Sequence, residues 1–265
     1  MVNTGDMSVN PGNTSTLVYK YMRPEHLPHI WCPGCGNGII MRDVAQAIEN
    51  LGLSRNKTVI VSGIGCSSRA AGYLDFNTIH TTHGRAIAFA TGIKLANPEL
   101  EVIVLAGDGD ISAIGGNHLI HAARRNIGLT VVVFNNEIYG MTGGQMAPTS
   151  LPNQVTQTTP YGRDVNTAGY PVRICEMLST LDGVALAQRV TVDNVKNVNI
   201  AKKAIKKAFQ NQIEGKGYSI VEVLSTCPTN WGMSPVEALD WLEKNMVPYY
   251  PLGVYKDGTK GDRLK

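Results

Sequence analysis

The stretch EVIVLAGDGDISAIGGNHLIHAARRNIGLTVVVFNN, residues 101–136, alternates apolar runs with a helical segment. Residues 101–106 and 130–134 are strand-length, each opening on a polar residue and then apolar without interruption, and residues 112–126 between them have helical periodicity. Strands with no polar alternation are buried on both faces, which predicts a parallel sheet with helices above and below it. Working outward, residues 58–62 (TVIVS), 183–187 and 218–224 (YSIVEVL) read as further strands. Helices are predicted at residues 38–51, 83–96 (stopped by Asn97-Pro98), 166–176, 195–213 and 235–245, the last followed by Pro- and Gly-rich coil. Residues 140–166 form one long Gly-, Pro-, Thr- and Gln-rich loop, a length that goes with function or disorder. The prediction is a single doubly wound α/β domain over residues 17–265, preceded by a flexible arm, residues 1–16, rich in Gly, Asn, Ser and Thr.

Composition narrows the function. The chain has 265 residues, is 43% hydrophobic and carries a net charge of +3, too little to argue for nucleic acid or an anionic membrane. No apolar run approaches a membrane span and no leader pattern opens the chain, so a cytoplasmic protein is expected. Thiols stay reduced in that compartment, so the five cysteines point to metal or catalysis before disulfides.

In open parallel sheets, ligands bind beyond the carboxyl ends of the strands. Residues 63–68, 107–111 and 135–141 all fall there. In Gly107-Asp-Gly-Asp110 the glycines allow close approach, and a following helix N-terminus suits a diphosphate. Asp108 and the Asn135-Asn136 pair supply hard oxygen donors of the kind Mg²⁺ takes together with phosphate. No third glycine makes this a dinucleotide fingerprint, and there is no Walker A motif. Alone, the glycine turn is better read as a plain sheet-edge turn. The pair is more specific: 25 residues separate Gly109 from Asn135. This spacing resembles the thiamine-diphosphate motif of transketolases and 2-oxoacid decarboxylases. The resemblance implies that Asp108 and Asn136 bind Mg²⁺, that Ile138 adds its backbone carbonyl, and that Gly109, Asp110, Gly140 and Met141 line the diphosphate.

Cys32-Pro-Gly-Cys35-Gly36 can present two thiolates to one centre. A zinc ribbon needs a second such pair about 15–20 residues on, and none is present. Single, distant cysteines could complete a tetrathiolate for either Zn²⁺ or a [4Fe–4S] cluster. Chemistry alone leans only slightly towards the cluster. Cys66 adds to that lean, because it sits in Gly63-Ile-Gly-Cys-Ser-Ser68 at a strand end beside the cofactor motif. Cys175 falls in a predicted helix and reads as a buried hydrophobe.

Trp31-Cys-Pro-Gly-Cys-Gly36, Ser62-Gly-Ile-Gly-Cys-Ser-Ser68, His80-Thr-Thr-His-Gly-Arg-Ala86, Gly107-Asp-Gly-Asp110, Asn135-Asn136, Tyr139-Gly-Met-Thr-Gly-Gly-Gln145 and Cys227-Pro-Thr229 occur in this order. Together they resemble the β subunits of the 2-oxoacid:ferredoxin oxidoreductases. The resemblance implies a thiamine-diphosphate-binding fold of the diphosphate type, with Cys32, Cys35, Cys66 and Cys227 as [4Fe–4S] ligands. It also implies thiamine contacts from Ile64, Gly65, Cys66, Ser67 and His83, with His83 opening a helix and serving in proton transfer. Thr142 and Gln145 are expected to position substrate, although they could equally just shape a turn. The tail, residues 227–253, looks most like the 2-oxoglutarate branch; pyruvate and branched-chain 2-oxoacids are the alternatives. Arg69 and Arg163 are candidates for a second substrate carboxylate, the better reading of each being a surface or structural Arg. The implied reaction is coenzyme A-dependent oxidative decarboxylation, with electrons passing through the cluster to ferredoxin. The implied partner is an α subunit that supplies the pyrimidine-binding domain, in a dimer of heterodimers or larger. Rival readings are a non-redox thiamine decarboxylase or synthase with a structural zinc, and a zinc-stabilised binding module.

Overall fold

The computed structural model describes residues 14–258. The predicted arm lies outside these except for its last three residues, which open a helix, Thr14–Tyr21. Nine strands are described: β1 Thr58–Ser62, β2 Asn77–His80, β3 Glu101–Gly107, β4 Thr130–Asn135, β5 Ile138–Tyr139, β6 Gln145–Met146, β7 Val184–Thr191, β8 Tyr218–Leu224 and β9 Gly253–Asp257. Seven form one sheet in the order β2-β1-β3-β4-β8-β7-β9, while β5 and β6 make a separate hairpin. Every pairing in the large sheet is parallel except β7 with β9. The doubly wound reading is thus correct. The interior strands are mostly apolar, with Arg189 on β7 and Glu222 on β8 as buried exceptions, and β1, β4 and β8 are buried at every position.

Helices Asn37–Leu51 and Val195–Ile213 cover one face over a core that includes Ile40, Val44, Ile48, Ile103, Leu105, Val132, Ile205 and Phe209. Helices Ala86–Ala96, Gly116–Arg124 and Ile174–Ser179 cover the other, over Val61, Ile87, Val104, Leu119, Val133 and Ile174. A small third cluster, Leu151, Leu224, Leu242, Met246 and Tyr250, seats the C-terminal helices.

Several boundaries differ from expectation, each for a local reason. The helix expected at 112–126 starts four residues early, as Asp108–Ser112, breaks, and resumes as Gly116–Arg124. The break falls at Ala113, whose ψ of −107° is not helical. The helix expected at 83–96 begins at Ala86, so His83 sits in the preceding turn rather than opening the helix. Gly84, at φ +72°, packs so tightly on Ile114 that a side chain there would collide with it. Residues 166–176 split into Val165–Ala168 and Ile174–Ser179 around Gly169. The tail expected to be coil contains β9.

Register brings the carboxyl ends together. Ser62 pairs with Leu105, Gly107 with Phe134 and Asn135 with Leu224, so β1, β3, β4 and β8 all end at one edge of the sheet. From β1 the chain runs outward to β2 and then returns past β1 to β3. That reversal leaves a crevice between the loops after β1 and β3.

Candidate functional site

That crevice holds a cavity of about 150 Å³ lined by Asn37, residues 64–67, His83, residues 107–110, Phe134, Asn136 and residues 138–142. Every residue predicted for the diphosphate, thiamine or Mg²⁺ lies on this wall, as does Thr142. Small residues make the wall possible. A Cβ on Gly107 would meet Ser67 Oγ at 2.9 Å, and one on Gly109 would lie 2.4 Å from the Tyr139 ring, whose hydroxyl donates to the Gly109 carbonyl at 3.2 Å.

Asp108 is buried, and its Oδ2 accepts a hydrogen bond from Thr149 Oγ1. Burial pushes its carboxyl up to about 7, against the pull of Thr149 and nearby backbone N–H groups. Burial disfavours the charged form, and a nearby positive charge would favour it. Asn135 Oδ1 accepts from Glu137 N at 3.1 Å, which folds the Asn135-Asn136 turn, and Glu137 takes the left-handed region at φ +60°. The Glu137 carboxyl is fully buried with no hydrogen-bond partner. Burial, then Asp108, then Glu222 hold it well above the usual carboxylate range.

Asp110 lines the cavity and also braces it. Its Oδ1 accepts from Gly84 N at 2.7 Å and Ile64 N at 3.4 Å, and lies 2.7 Å from His83 Nδ1. A Cβ on Gly63 would overlap Asp110 Oδ2 at 1.9 Å. The side chain therefore ties together the loops after β1, β2 and β3, and holds His83 at the cavity. The Thr142 hydroxyl donates to Gln145 Oε1 at 2.5 Å, and Gln145 Nε2 returns a bond to the Thr142 carbonyl at 3.0 Å. The two shape the turn between β5 and β6.

A second cavity, of about 320 Å³, adjoins the first. It is lined by Cys32, Cys35, Cys66 and Cys227, together with Ile30, Trp31, Arg69, Asn136, Gly140, Met141 and residues 228–230. Cys66, Asn136, Gly140 and Met141 line both cavities. Gly140 is the divider: a Cβ there would meet Cys227 Sγ at 3.4 Å and Cys66 Sγ at 3.6 Å. Burial and the neighbouring thiols push Cys35 up to about 12 and Cys66 up to about 11, so without a metal these remain thiols. Cys175 is buried elsewhere, as expected of a structural cysteine. Among the described residues no three His, Cys, Asp or Glu side chains converge as a ready single-ion site.

Sequence reasoning missed Asn37, Thr149 and Asn230. Asn37 is 1% exposed, and both ends of its amide lack a partner at the cavity wall. Asn230 Nδ2 donates to the Gly140 carbonyl at 2.9 Å and to Cys227 Sγ at 3.3 Å. Its position one helical turn after Cys227 was the available signal; Thr149 had none. Arg163 takes the structural role that was the alternative to binding substrate. It is 3% exposed, and its guanidinium donates to the carbonyls of Ser150 at 2.5 Å, Gly169 at 2.9 Å, Pro148 at 3.1 Å and Ala168 at 3.2 Å. Arg69 remains near the thiols, 3.9 Å from Met141 Sδ.

Residues 63–223 match the family described as thiamine pyrophosphate enzyme, C-terminal TPP binding domain. The 2-oxoglutarate synthase subunit KorB of Archaeoglobus fulgidus is 51% identical over 85% of this chain and 79% of its own length. This chain belongs to the β subunits of the 2-oxoacid:ferredoxin oxidoreductases. The β subunit is also 42% identical to the ketoisovalerate oxidoreductase subunit VorA of Methanothermobacter thermautotrophicus, over 86% of this chain and 47% of that one. A solved 2-oxoglutarate:ferredoxin oxidoreductase from Magnetococcus marinus, with 2-oxoglutarate, coenzyme A and succinyl-CoA bound, is 35% identical. It superposes with a TM-score of 0.73 over 85% of this chain and 72% of its own. No helix among the described residues is long and apolar enough to cross a membrane.

Proposed function

We propose that this β subunit, joined to an α subunit, catalyses coenzyme A-dependent oxidative decarboxylation of 2-oxoglutarate to succinyl-coenzyme A, and that electrons leave through a [4Fe–4S] cluster to ferredoxin. The observation that carries this is the pair of adjoining cavities, one walled by the diphosphate motif and the other by four thiols, with Cys66 and Gly140 common to both.

The residues fit the implied groups. Asp108, Asn136 and the Ile138 carbonyl offer one carboxylate and two neutral oxygens, a partial Mg²⁺ shell that phosphate oxygens complete. A single Zn²⁺ draws its four sulfurs to within about 3.8 Å of one another, given Zn–S bonds of about 2.3 Å. A cavity of about 320 Å³ walled by four thiols leaves room for a polynuclear centre. Cys32, Cys35, Cys66 and Cys227 would hold it, with Asn230 donating to the Cys227 sulfur. Bound thiamine diphosphate supplies the electron sink for loss of CO₂, and the cluster supplies the one-electron acceptor. The protein's own tasks are to bind and to orient. Gly107 and Gly109 admit the diphosphate to the backbone, Gly109, Asp110, Gly140 and Met141 line it, and Ile64, Gly65 and Ser67 face the thiamine. Asp110 keeps His83 at the cavity, where its imidazole can hold a proton. The names of the more similar relatives favour 2-oxoglutarate; pyruvate and a branched-chain 2-oxoacid are the alternatives. A cytoplasmic dimer of heterodimers or larger is the matching assembly.

The test is a panel of 2-oxoacids assayed with coenzyme A and a viologen acceptor on the co-expressed complex, alongside iron and acid-labile sulfide analysis. The expected result is the highest kcat/KM for 2-oxoglutarate and about four iron atoms per chain. Anaerobically prepared protein without iron would overturn the redox reading, and faster turnover of pyruvate would overturn the substrate.

A further inference from the structure

The thiol cavity has a neighbour on its outer side. A groove of about 830 Å³ runs along the far face of the Cys32-Pro-Gly-Cys35-Gly36 knuckle. Trp31, Cys32 and Cys35 line both spaces, so the knuckle is the wall between them, and Cys32 is exposed. The wall is held firmly. Thr226 Oγ1 donates to the Gly34 carbonyl at 2.6 Å, and Gly34 abuts Pro235 with no room for a side chain.

The groove has an apolar floor and a basic border. Ile39, Val198 and Leu239 line it, with Val195 80% exposed at its lip. Its charged lining is His29, Arg42 and Lys202 against Asp193. Asp193 already accepts from Asn197 Nδ2 at 2.8 Å and Asn194 Nδ2 at 3.1 Å, and Arg42 lies 3.3 Å from Asp43. The bordering helix, Val195–Ile213, carries Lys196, Lys202, Lys203, Lys206 and Lys207 and no acidic residue. Lys207 pairs with Asp257, whereas Lys196, Lys203 and Lys206 are exposed and make no ion pair among the described residues. On the opposite side, Glu237 is engaged by the Ser234 backbone and Asp240 by Lys244. An apolar centre with a predominantly basic rim, its few carboxylates already engaged, is the arrangement of a transient protein interface, in which rim charges set encounter rate and orientation.

We infer that this groove docks a small acidic one-electron carrier protein, whose carboxylates meet the lysine face of the Val195–Ile213 helix while its redox centre faces the knuckle. The inference rests on the reading that the four thiols hold a cluster. One electron then passes from the reduced cluster to the carrier's oxidised iron–sulfur centre. No bond or proton moves with it, and two such transfers clear each decarboxylation. The occupant is a protein rather than coenzyme A, because the knuckle separates the groove from the cavity where the substrate reacts.

The test compares the wild-type αβ complex with K202E/K203E, and with the milder K202Q/K203Q in case charge reversal impairs assembly. Both are checked for equal iron content. Calorimetric titration with oxidised ferredoxin at low and high salt gives the affinity, and viologen reduction and the KM for coenzyme A are measured in parallel. The expected result is binding weakened about tenfold at low salt, converging with wild type at high salt, with the viologen rate and the coenzyme A KM unchanged. Unchanged affinity with unchanged salt dependence overturns the docking site. So does a raised coenzyme A KM with carrier binding intact, which would assign the groove to the nucleotide. A wild-type complex without iron is a separate failure, because it removes the cluster reading on which the site depends.

Discussion

At the scale of single residues, burial separates side chains that serve the fold from those placed for a ligand. Asp108 is buried, and the Thr149 hydroxyl and nearby backbone N–H groups offset only part of the cost of its charge. Asp108→Asn removes the charge without changing the shape. It should leave the melting temperature of the cofactor-free protein unchanged or higher, while weakening Mg²⁺-dependent thiamine diphosphate binding by about tenfold or more. Equilibrium dialysis reads the second effect; unaltered binding would remove Asp108 from the metal site. Asp43, away from the site, gives a prediction about pH. Its side chain is fully buried beside Arg42, and one oxygen has no partner. Burial outweighs the pull of Arg42 and raises the carboxyl to about 6. An acid whose folded pKa lies above its unfolded value holds more protons when folded. Stability is therefore lost as pH rises from about 4 through about 6. Asp43→Asn should raise stability by at most about 3 kcal/mol at pH 8 and by about half that at pH 5. Thermal unfolding of the assembled complex at the two pH values checks this, and an equal or reversed difference would refute it.

At the scale of elements, the Asn135-Asn136 turn is braced from two strands away. Asn135 Nδ2 donates to Glu222 Oε1 on β8 at 2.7 Å, and Arg189 Nε on β7 donates to Glu222 Oε2 at 2.8 Å. Arg189 also meets Glu176 at 2.5 Å and the Tyr255 hydroxyl on β9 at 2.6 Å, with the Tyr250 and Tyr255 rings about its guanidinium. Arg189→Met leaves two buried or half-buried carboxylates without their cation and should cost about 3–5 kcal/mol. Adding Glu222→Gln should recover part of that loss; a double variant no better than the single would mean the network is not coupled. None of this bracing was legible in the sequence, because its members lie 33 and 87 residues apart. The legible elements were those whose signal is local. β1, β8 and the Val195–Ile213 helix match their predicted bounds, since an apolar run or a capping Asn194 ends each one. β2 and β9 escaped notice because edge strands need no continuous apolar run. Asn77–His80 is partly or fully exposed throughout, and β9 pairs on only one side. The candidate site was legible in outline because the loops after β1, β3, β4 and β8, which carry most of it, directly follow apolar strands. Asn37, Thr149 and the bracing role of Asp110 needed the tertiary register.

At the scale of the molecule, the cofactor cavity is half enclosed. Its 150 Å³ is small beside a ligand the size of thiamine diphosphate, since cofactor sites are typically at least about 300 Å³. Among its lining residues Ile64 and Met141 are 41% and 37% exposed. Exposed apolar side chains lining a polar crevice mark a surface that another protein covers. The four thiols, in contrast, all come from this chain. The two halves of the site should therefore separate experimentally. Expressed alone and reconstituted anaerobically, the β subunit should hold iron and acid-labile sulfide but show no 2-oxoacid-dependent viologen reduction. Adding the α subunit should tighten thiamine diphosphate binding by on the order of tenfold or more, by enclosing the part of the cofactor this chain leaves in solvent, and should restore turnover. Full turnover by the isolated chain would mean that the cavity is complete as it stands. Loss of iron on removal of the α subunit would mean that the thiol cavity, too, depends on the partner.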